Sequence, residues 1–122
     1  MVALNQNNYD EVRVQQWWAA VFTYIQLAKR ITNLPVDDMN QLHDVDTIIK
    51  KLRAQHTMVA RIQVPSGAEK INKTALSFLI NVITAVQYHR IGNDDRRDIN
   101  YDMAMVDKQM LALYLEAYNL KF

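Results

Sequence analysis

The chain has 122 residues, half of them hydrophobic, and its 14 basic and 13 acidic side chains give a formal charge of +1. A domain of this length buries roughly two thirds of the surface that its unfolded chain exposes, which is enough for a hydrophobic core. The composition therefore excludes a disordered tail, a collagen-like repeat, a disulfide scaffold and a globally basic, histone-like protein.

The first predicted element is a helix over residues 9–32. Asn8 is a candidate N-cap, and Glu11 follows three residues later, as in a capping box. Apolar residues recur at helical spacing between Val14 and Ala28, and neighbouring aromatic residues widen the apolar stripe. The sequence therefore predicts a helix that is buried on more than one side, after an N-terminal extension over residues 1–8.

The second predicted helix covers residues 36–63 and begins after Pro35, one of only two prolines. A heptad seam, with apolar or uncharged side chains three and four residues apart, runs along one side of it: Leu42, Val45, Ile49, Leu52, His56 and Val59. A break in this helix near residues 40–44 remains an alternative.

The third predicted helix covers residues 67–91. Ser66 and Glu69 have the spacing of a second capping box, and Gly92 stands where a helix commonly ends in a left-handed residue. The fourth predicted helix covers residues 98–120 and carries the most regular heptad of the chain: Ile99, Met103, Val106, Met110, Leu113, Ala117 and Leu120.

Four helices joined by short connections predict an all-α fold, an up-down antiparallel four-helix bundle in a single domain over residues 1–122. No stretch alternates with a period of two for long enough to indicate a strand. Broad apolar faces on the first and third helices indicate central positions or burial against another subunit. Narrow seams on the second and fourth helices indicate outer positions.

The charges are unevenly distributed along the chain. Residues 49–73 contain six basic side chains and one acidic side chain, a net charge of +5, whereas residues 1–48 carry −3 and residues 74–122 carry −1. The six basic residues are Lys50, Lys51, Arg53, Arg61, Lys70 and Lys73. A row of cations at helical spacing is suited to a DNA or RNA backbone. A solvated helix face and a site for an acidic protein are the alternatives.

Trp17 and Trp18 are the most unusual local feature of the sequence. Adjacent residues of a helix point about 100° apart, so that when one indole enters the core the other tends to lie at its edge. An exposed tryptophan is a strong interface anchor, and we therefore predict a protein interface at this pair. Burial of both indoles in the core is the alternative.

Sequence motifs for catalysis, metals or cofactors are absent. The chain has no cysteine, its three histidines lack zinc or di-iron spacing, and its two isolated glycines exclude a glycine-rich phosphate loop. His43, Asp44, Asp46 and Thr47 lie close together, which leaves a small helical enzyme as an alternative. We expect no catalytic residues, no metal, no cofactor and no small-molecule substrate, and we expect residues 93–98 to supply helix caps and local ion pairs.

The N-terminal residues lack the basic start and apolar stretch of a signal peptide. The longest apolar runs have about a dozen residues, against the ~20 that span a bilayer. We expect a cytoplasmic or virion protein without a membrane partner, of viral or mobile-element type.

These observations favour a non-catalytic assembly subunit that packs against protein neighbours or copies of itself and contacts nucleic acid through residues 49–73. The alternative function is a small protein-interaction module, an inhibitor or adaptor, that binds its partner through exposed aromatic side chains.

Overall fold

The computed structural model describes residues 6–122, with side chains from residue 10 onward. The helices are α1 (Gln6–Thr32), a short 3-10 helix (Val36–Gln41), α2 (Val45–Arg61), α3 (Glu69–Arg90) and α4 (Asp94–Glu116). Within the described residues there is no strand, which confirms the all-helical class.

Helix α1 begins earlier than the sequence indicates. Because Gln6 is already helical, Asn8 lies inside α1 and is not its cap. Residues 6–8 of the predicted N-terminal extension are therefore helical, and residues 1–5 lie outside the described residues.

The single helix predicted over residues 36–63 is wrong, and the alternative of a break near residues 40–44 is confirmed. A 3-10 turn ends at Gln41, and Asp44 takes a left-handed conformation with a φ of 53° before α2 begins at Val45. Aspartate tolerates this conformation better than most residues, and the Asp44 carboxylate accepts a hydrogen bond from the Thr47 hydroxyl at 2.7 Å. Met39 of the 3-10 helix is fully buried.

The ends of α3 follow the predicted pattern only at the C-terminus. The Ser66–Glu69 capping box does not form, because the Glu69 carboxylate accepts instead from the backbone N–H of Gly67 at 2.9 Å. Gly92 has a φ of +78°, and its N–H donates to the carbonyl of His89 at 3.1 Å. The predicted left-handed residue at this end is therefore confirmed.

Helix α4 is displaced toward the N-terminus relative to its prediction. It begins at Asp94 because the Asn93 side chain caps it, accepting from the backbone N–H of Arg96 at 3.2 Å. It ends at Glu116, and the left-handed Asn119 turns the chain back. The Lys121 carbonyl then accepts from the Trp18 indole N–H at 3.2 Å.

Helix α3 occupies the middle of the fold and packs against α1, α2 and α4, most closely against α4. Residues later in α3 contact residues earlier in α4: Ser77 binds Asp107, and Tyr88 binds Arg96. The two helices are therefore antiparallel. The side chains of Ala85 and Ala104 are small and buried, which is consistent with this close approach.

The predicted seam of α4 is not the face that packs on α3. Ile99, Met103, Val106 and Leu113 are 59, 50, 57 and 58 % exposed, respectively. The buried face of α4 instead carries Arg97, Tyr101, Ala104, Leu111 and Leu115. Position 104 is about 160° around the helix from position 106, so the heptad points away from the rest of the chain.

A polar cluster joins α3 to α4. The Asp107 carboxylate accepts from the Ser77 hydroxyl at 2.8 Å and from the side-chain amide of Asn81 at 2.9 Å. Asn81 is buried, and its amide has one further acceptor, the Ser77 hydroxyl, at the longer distance of 3.5 Å. Hydrogen bonds to a charged acceptor are stronger than neutral ones and require a particular alignment of the two helices.

Replacement of Asp107 by alanine is expected to lower the free energy of unfolding by about 2 kcal/mol, because it removes two hydrogen bonds to a charge and leaves the buried Asn81 amide with only the longer contact to Ser77. Asp102→Ala is the matched control on the same helix, where the side chain is exposed. We expect the control to change stability by less than about 0.5 kcal/mol. Urea unfolding followed by circular dichroism measures both, and equal losses would contradict the role of the cluster.

Tyr101 joins α4 to the end of α1. Its hydroxyl donates to the carbonyl of Thr32 at 3.0 Å and also contacts the carbonyl of Leu34. Burial of the ring, and secondarily the charge of the neighbouring Asp102, raise the pKa of this hydroxyl above its ordinary value.

Because the pKa of Tyr101 is raised in the folded state, its contribution to stability is complete below pH ~10 and is lost as the pH rises above that value. Near neutral pH, we expect Tyr101→Phe to be about 1 kcal/mol less stable than the unmodified chain. This difference should shrink above pH ~10, where only the chain with Tyr101 ionises at this position. Urea unfolding of both proteins between pH 7 and 11 provides the measurement, and a constant difference would contradict the prediction.

Candidate nucleic-acid interface

The outer face of α2 carries four of the predicted cations, three close together and one at the end of the helix. Lys50, Lys51, Arg53 and Arg61 are all exposed, whereas Ile49, Leu52 and Val59 of the same helix are buried. At 1.5 Å per residue, the four cations extend over about 16 Å of helix. The structure therefore brings these four predicted residues together on one solvent-facing surface.

Lys70 and Lys73 lie at the start of α3, the next helix along the chain, and both are exposed. The ammonium group of Lys70 lies 5.1 Å from the ring centre of Tyr114, a distance typical of a cation–π contact. We use the name basic face for the six predicted residues Lys50, Lys51, Arg53, Arg61, Lys70 and Lys73.

None of the cations in the basic face is paired with a carboxylate in the part of the chain that the structure describes. The ion pairs found there join Arg90 to Asp46 and Arg97 to Asp94 and Asp98. Unpaired cations on a surface retain their full charge toward a ligand, because no internal carboxylate neutralises them.

A shallow cleft of about 300 Å³ lies where the start of α2 meets the end of α3. It is lined by Asp46, Ile49, Lys50, Arg53, Gln87 and Arg90. Arg90 binds Asp46 with an N–O distance of 2.9 Å, but more than half of each side chain is exposed. Such an exposed pair is weak, which leaves the guanidinium accessible to another anion.

Arg90 was missed by the sequence analysis, because it lies outside the basic segment. The return of α3 brings it to Lys50 and Arg53, some forty residues earlier in the chain. The sequence does contain a signal for this position. A short loop joins α2 to α3 and favours antiparallel helices, which places the end of α3 beside the start of α2. An arginine beside a row of cations adds a bidentate group suited to phosphate oxygens.

The tryptophan pair is buried. Trp17 and Trp18 are only 6 and 3 % exposed, so the expectation that one of them lies at the edge of the core is wrong. Phe122 of the returning C-terminal segment packs on Trp18, with ring centres 5.9 Å apart. Trp17 lies beside Gln63 and Pro65 of the loop between α2 and α3. A contact of this pair with a partner stays a prediction, but neither indole is a surface anchor in this fold.

The residues considered for catalysis are not arranged as a hydroxyl, a base and an acid. The Thr47 hydroxyl donates to Asp44, and Asp46 pairs with Arg90, while His43 is exposed. Among the described residues, no group of three or more histidine, aspartate or glutamate side chains is placed to hold a metal ion.

Residues 93–98 supply a helix cap and local ion pairs, as predicted. Asn93 caps α4, and the buried Arg97 binds the carboxylates of Asp94 at 3.4 Å and Asp98 at 3.0 Å. Arg97 also donates to the ring nitrogen Nδ1 of His89 at 3.2 Å, which joins the start of α4 to the end of α3.

No helix in the described part of the chain combines the length and the apolar character needed to cross a membrane. Comparisons with protein-family models, with curated proteins and with solved structures gave no match to this chain.

Proposed function

We propose that this protein is a non-catalytic assembly subunit that packs against protein neighbours and contacts the backbone of a nucleic acid through its basic face. The observation that carries the proposal is the basic face itself: six exposed cations on adjoining elements, none of them paired with a carboxylate among the described residues. Contacts to phosphates supply most of the affinity of sequence-independent nucleic-acid binding.

The low net charge of +1 makes this local concentration more informative. A uniformly basic protein attracts polyanions from every side, whereas here the charge of +5 belongs to 25 consecutive residues. The field around α2 therefore orients an approaching polyanion toward one surface. Arg90 extends that surface into the cleft between α2 and α3.

For the packing of the subunit, we propose that the four α-helices form an up-down antiparallel bundle with α3 in the middle. The contacts of α3 with all three other helices support this arrangement. The apolar stripe on the outside of α4 supports a role in assembly, because exposed apolar patches commonly mark interaction sites. The alternative of an interaction module with exposed aromatic anchors is less well supported, since both tryptophans are buried.

The proposal predicts the salt dependence of binding. If all six cations of the basic face neutralise phosphates, the logarithm of the affinity for double-stranded DNA falls with the logarithm of salt concentration with a slope of about −5. Charge reversal at Lys50, Arg53 and Arg61 should lower the affinity at least tenfold and reduce the magnitude of the slope by about 3. Fluorescence anisotropy with labelled DNA and RNA, single- and double-stranded, measures both quantities.

The matched control reverses three exposed cations elsewhere, Arg30, Arg96 and Lys121, and changes the net charge by the same amount. We expect this control to lower the affinity much less than reversal within the basic face. Equal losses in the two triple variants would show an effect of total charge and would contradict a defined interface.

Substitutions of the two paired residues in the cleft are expected to change the affinity for nucleic acid in opposite directions. Asp46→Asn removes the carboxylate that binds Arg90 and should raise the affinity several-fold, whereas Arg90→Gln should lower it several-fold. The same anisotropy titration measures both variants. If neither substitution alters the affinity, the cleft lies outside the interface, and only the outer face of α2 and the start of α3 contact phosphates.

A further inference from the structure

Helix α4 presents a continuous apolar stripe on the face that points away from α3. The stripe contains Ile99, Met103, Val106, Met110, Leu113 and Ala117, of which all but Met110 are exposed. All six positions of this repeat, which spans residues 99–117, are apolar. We call these six residues the α4 stripe.

The spacing of the α4 stripe is that of a coiled coil. Its members are alternately four and three residues apart, so that the pattern repeats every seven residues, as in a helix that faces a partner helix of the same spacing. The packing of α4 on α3 uses the opposite face and so does not require this repeat. A monomer therefore leaves a regular helix-pairing surface without a partner helix.

We propose that the α4 stripe is the contact surface for a second copy of this chain, and that the two α4 helices pair in antiparallel orientation. This inference rests on the assembly role proposed above and names its surface. When the two helices are aligned so that Lys108 of one copy lies level with Lys108 of the other, the antiparallel register places Ile99 opposite Ala117 of the other copy. It likewise sets Met103 opposite Leu113 and Val106 opposite Met110.

The side chains of these layers complement one another in size. The β-branched isoleucine meets the small alanine at each end, and flexible methionines meet Leu113 and Val106 in between. A two-fold axis repeats each layer, so that one stripe supplies both sides of the contact, as an isologous interface requires. The stripe is thus matched in size by a second copy of itself.

The area of the stripe indicates a weak dimer. A large apolar side chain offers on the order of 100 Å², and the four half-exposed ones of the stripe contribute about half of that each. With the residues that flank the stripe, each copy supplies a few hundred Å², below the ~800 Å² per partner of a standard stable interface. We therefore expect a concentration-dependent dimer with a Kd in the micromolar range.

Charges beside the stripe give this dimer a recognisable salt dependence. Asp102 and Glu116 flank one side of the stripe and are exposed. In the antiparallel register, Asp102 of one copy lies near Glu116 of the other, and like charges at these positions oppose pairing. Added salt screens the repulsion, so that dimerisation tightens with salt, whereas nucleic-acid binding weakens with it.

The first experiment measures mass by sedimentation equilibrium over a range of protein and salt concentrations. The unmodified chain should approach two copies at high concentration, and more readily at high salt. Val106→Glu should weaken dimerisation at least tenfold. Val12→Glu is the matched control, because Val12 is 47 % exposed on α1, away from the stripe. Circular dichroism verifies that both variants remain helical.

Orientation is tested by disulfide cross-linking, which the absence of cysteine makes unambiguous. Positions 99 and 117 lie about 27 Å apart along α4. With a mild oxidant, a mixture of Ile99→Cys and Ala117→Cys chains should form a mixed dimer, while neither chain alone cross-links. Glu116→Lys should tighten the dimer, since it places a lysine near Asp102 of the other copy.

A chain that stays monomeric at all concentrations, or a dimer indifferent to Val106→Glu, overturns the inference. Cross-linking of each cysteine variant with itself overturns the antiparallel arrangement. Nucleic-acid binding by Val106→Glu distinguishes the two proposals. If the unmodified chain is monomeric and both it and Val106→Glu bind DNA or RNA, the proposed basic face is supported and the dimer surface is contradicted. If the dimer forms but nothing binds the basic face, the reverse holds.

Discussion

The close packing of α3 against α4 is the constraint on which the rest of the structure depends. Asp107 contributes a carboxylate between the two helices, and it is partnered there by Ser77 and the buried Asn81. A rotation of α4 that buried its heptad would remove Asp107 from these partners and leave the buried Asn81 amide with only its longer, 3.5 Å contact to Ser77. Since a poorly paired buried polar group costs more than an exposed apolar side chain, the polar cluster determines which face of α4 points inward.

Much of the fold could be predicted from the sequence, because the signals that form and end its helices are local. The all-helical class follows from hydrophobic periodicity, and the end of α3 follows from Gly92, whose left-handed conformation few other residues adopt readily. Exposure of Lys50, Lys51, Arg53 and Arg61 follows from their position away from the buried side of α2. Each of these features depends on neighbours within one or two helical turns.

The errors concern features that only the tertiary structure decides. Periodicity identifies the apolar stripe of α4 but not the partner that covers it, and the buried residues Arg97 and Asn81 look like surface residues in the sequence. Trp18 is covered by the returning C-terminal segment, about a hundred residues away. Arg90 joins the cleft for the same reason, because only the antiparallel return of α3 brings it to the start of α2.

The arrangement of the helices connects the two proposed surfaces. Ser77 and Asn81 face α4, while Gln87 and Arg90 line the cleft with α2, so that α2 and α4 adjoin α3 through different residues. Pairing through the outside of α4 therefore leaves the four cations on α2 of each copy uncovered, whereas Lys70 lies against Tyr114 of α4. A dimer of this kind presents two basic faces to one polyanion, and a nucleic acid long enough to reach both gains affinity from the second contact. The affinity of the assembly for a long nucleic acid then exceeds that of a single chain without any further contact in the protein.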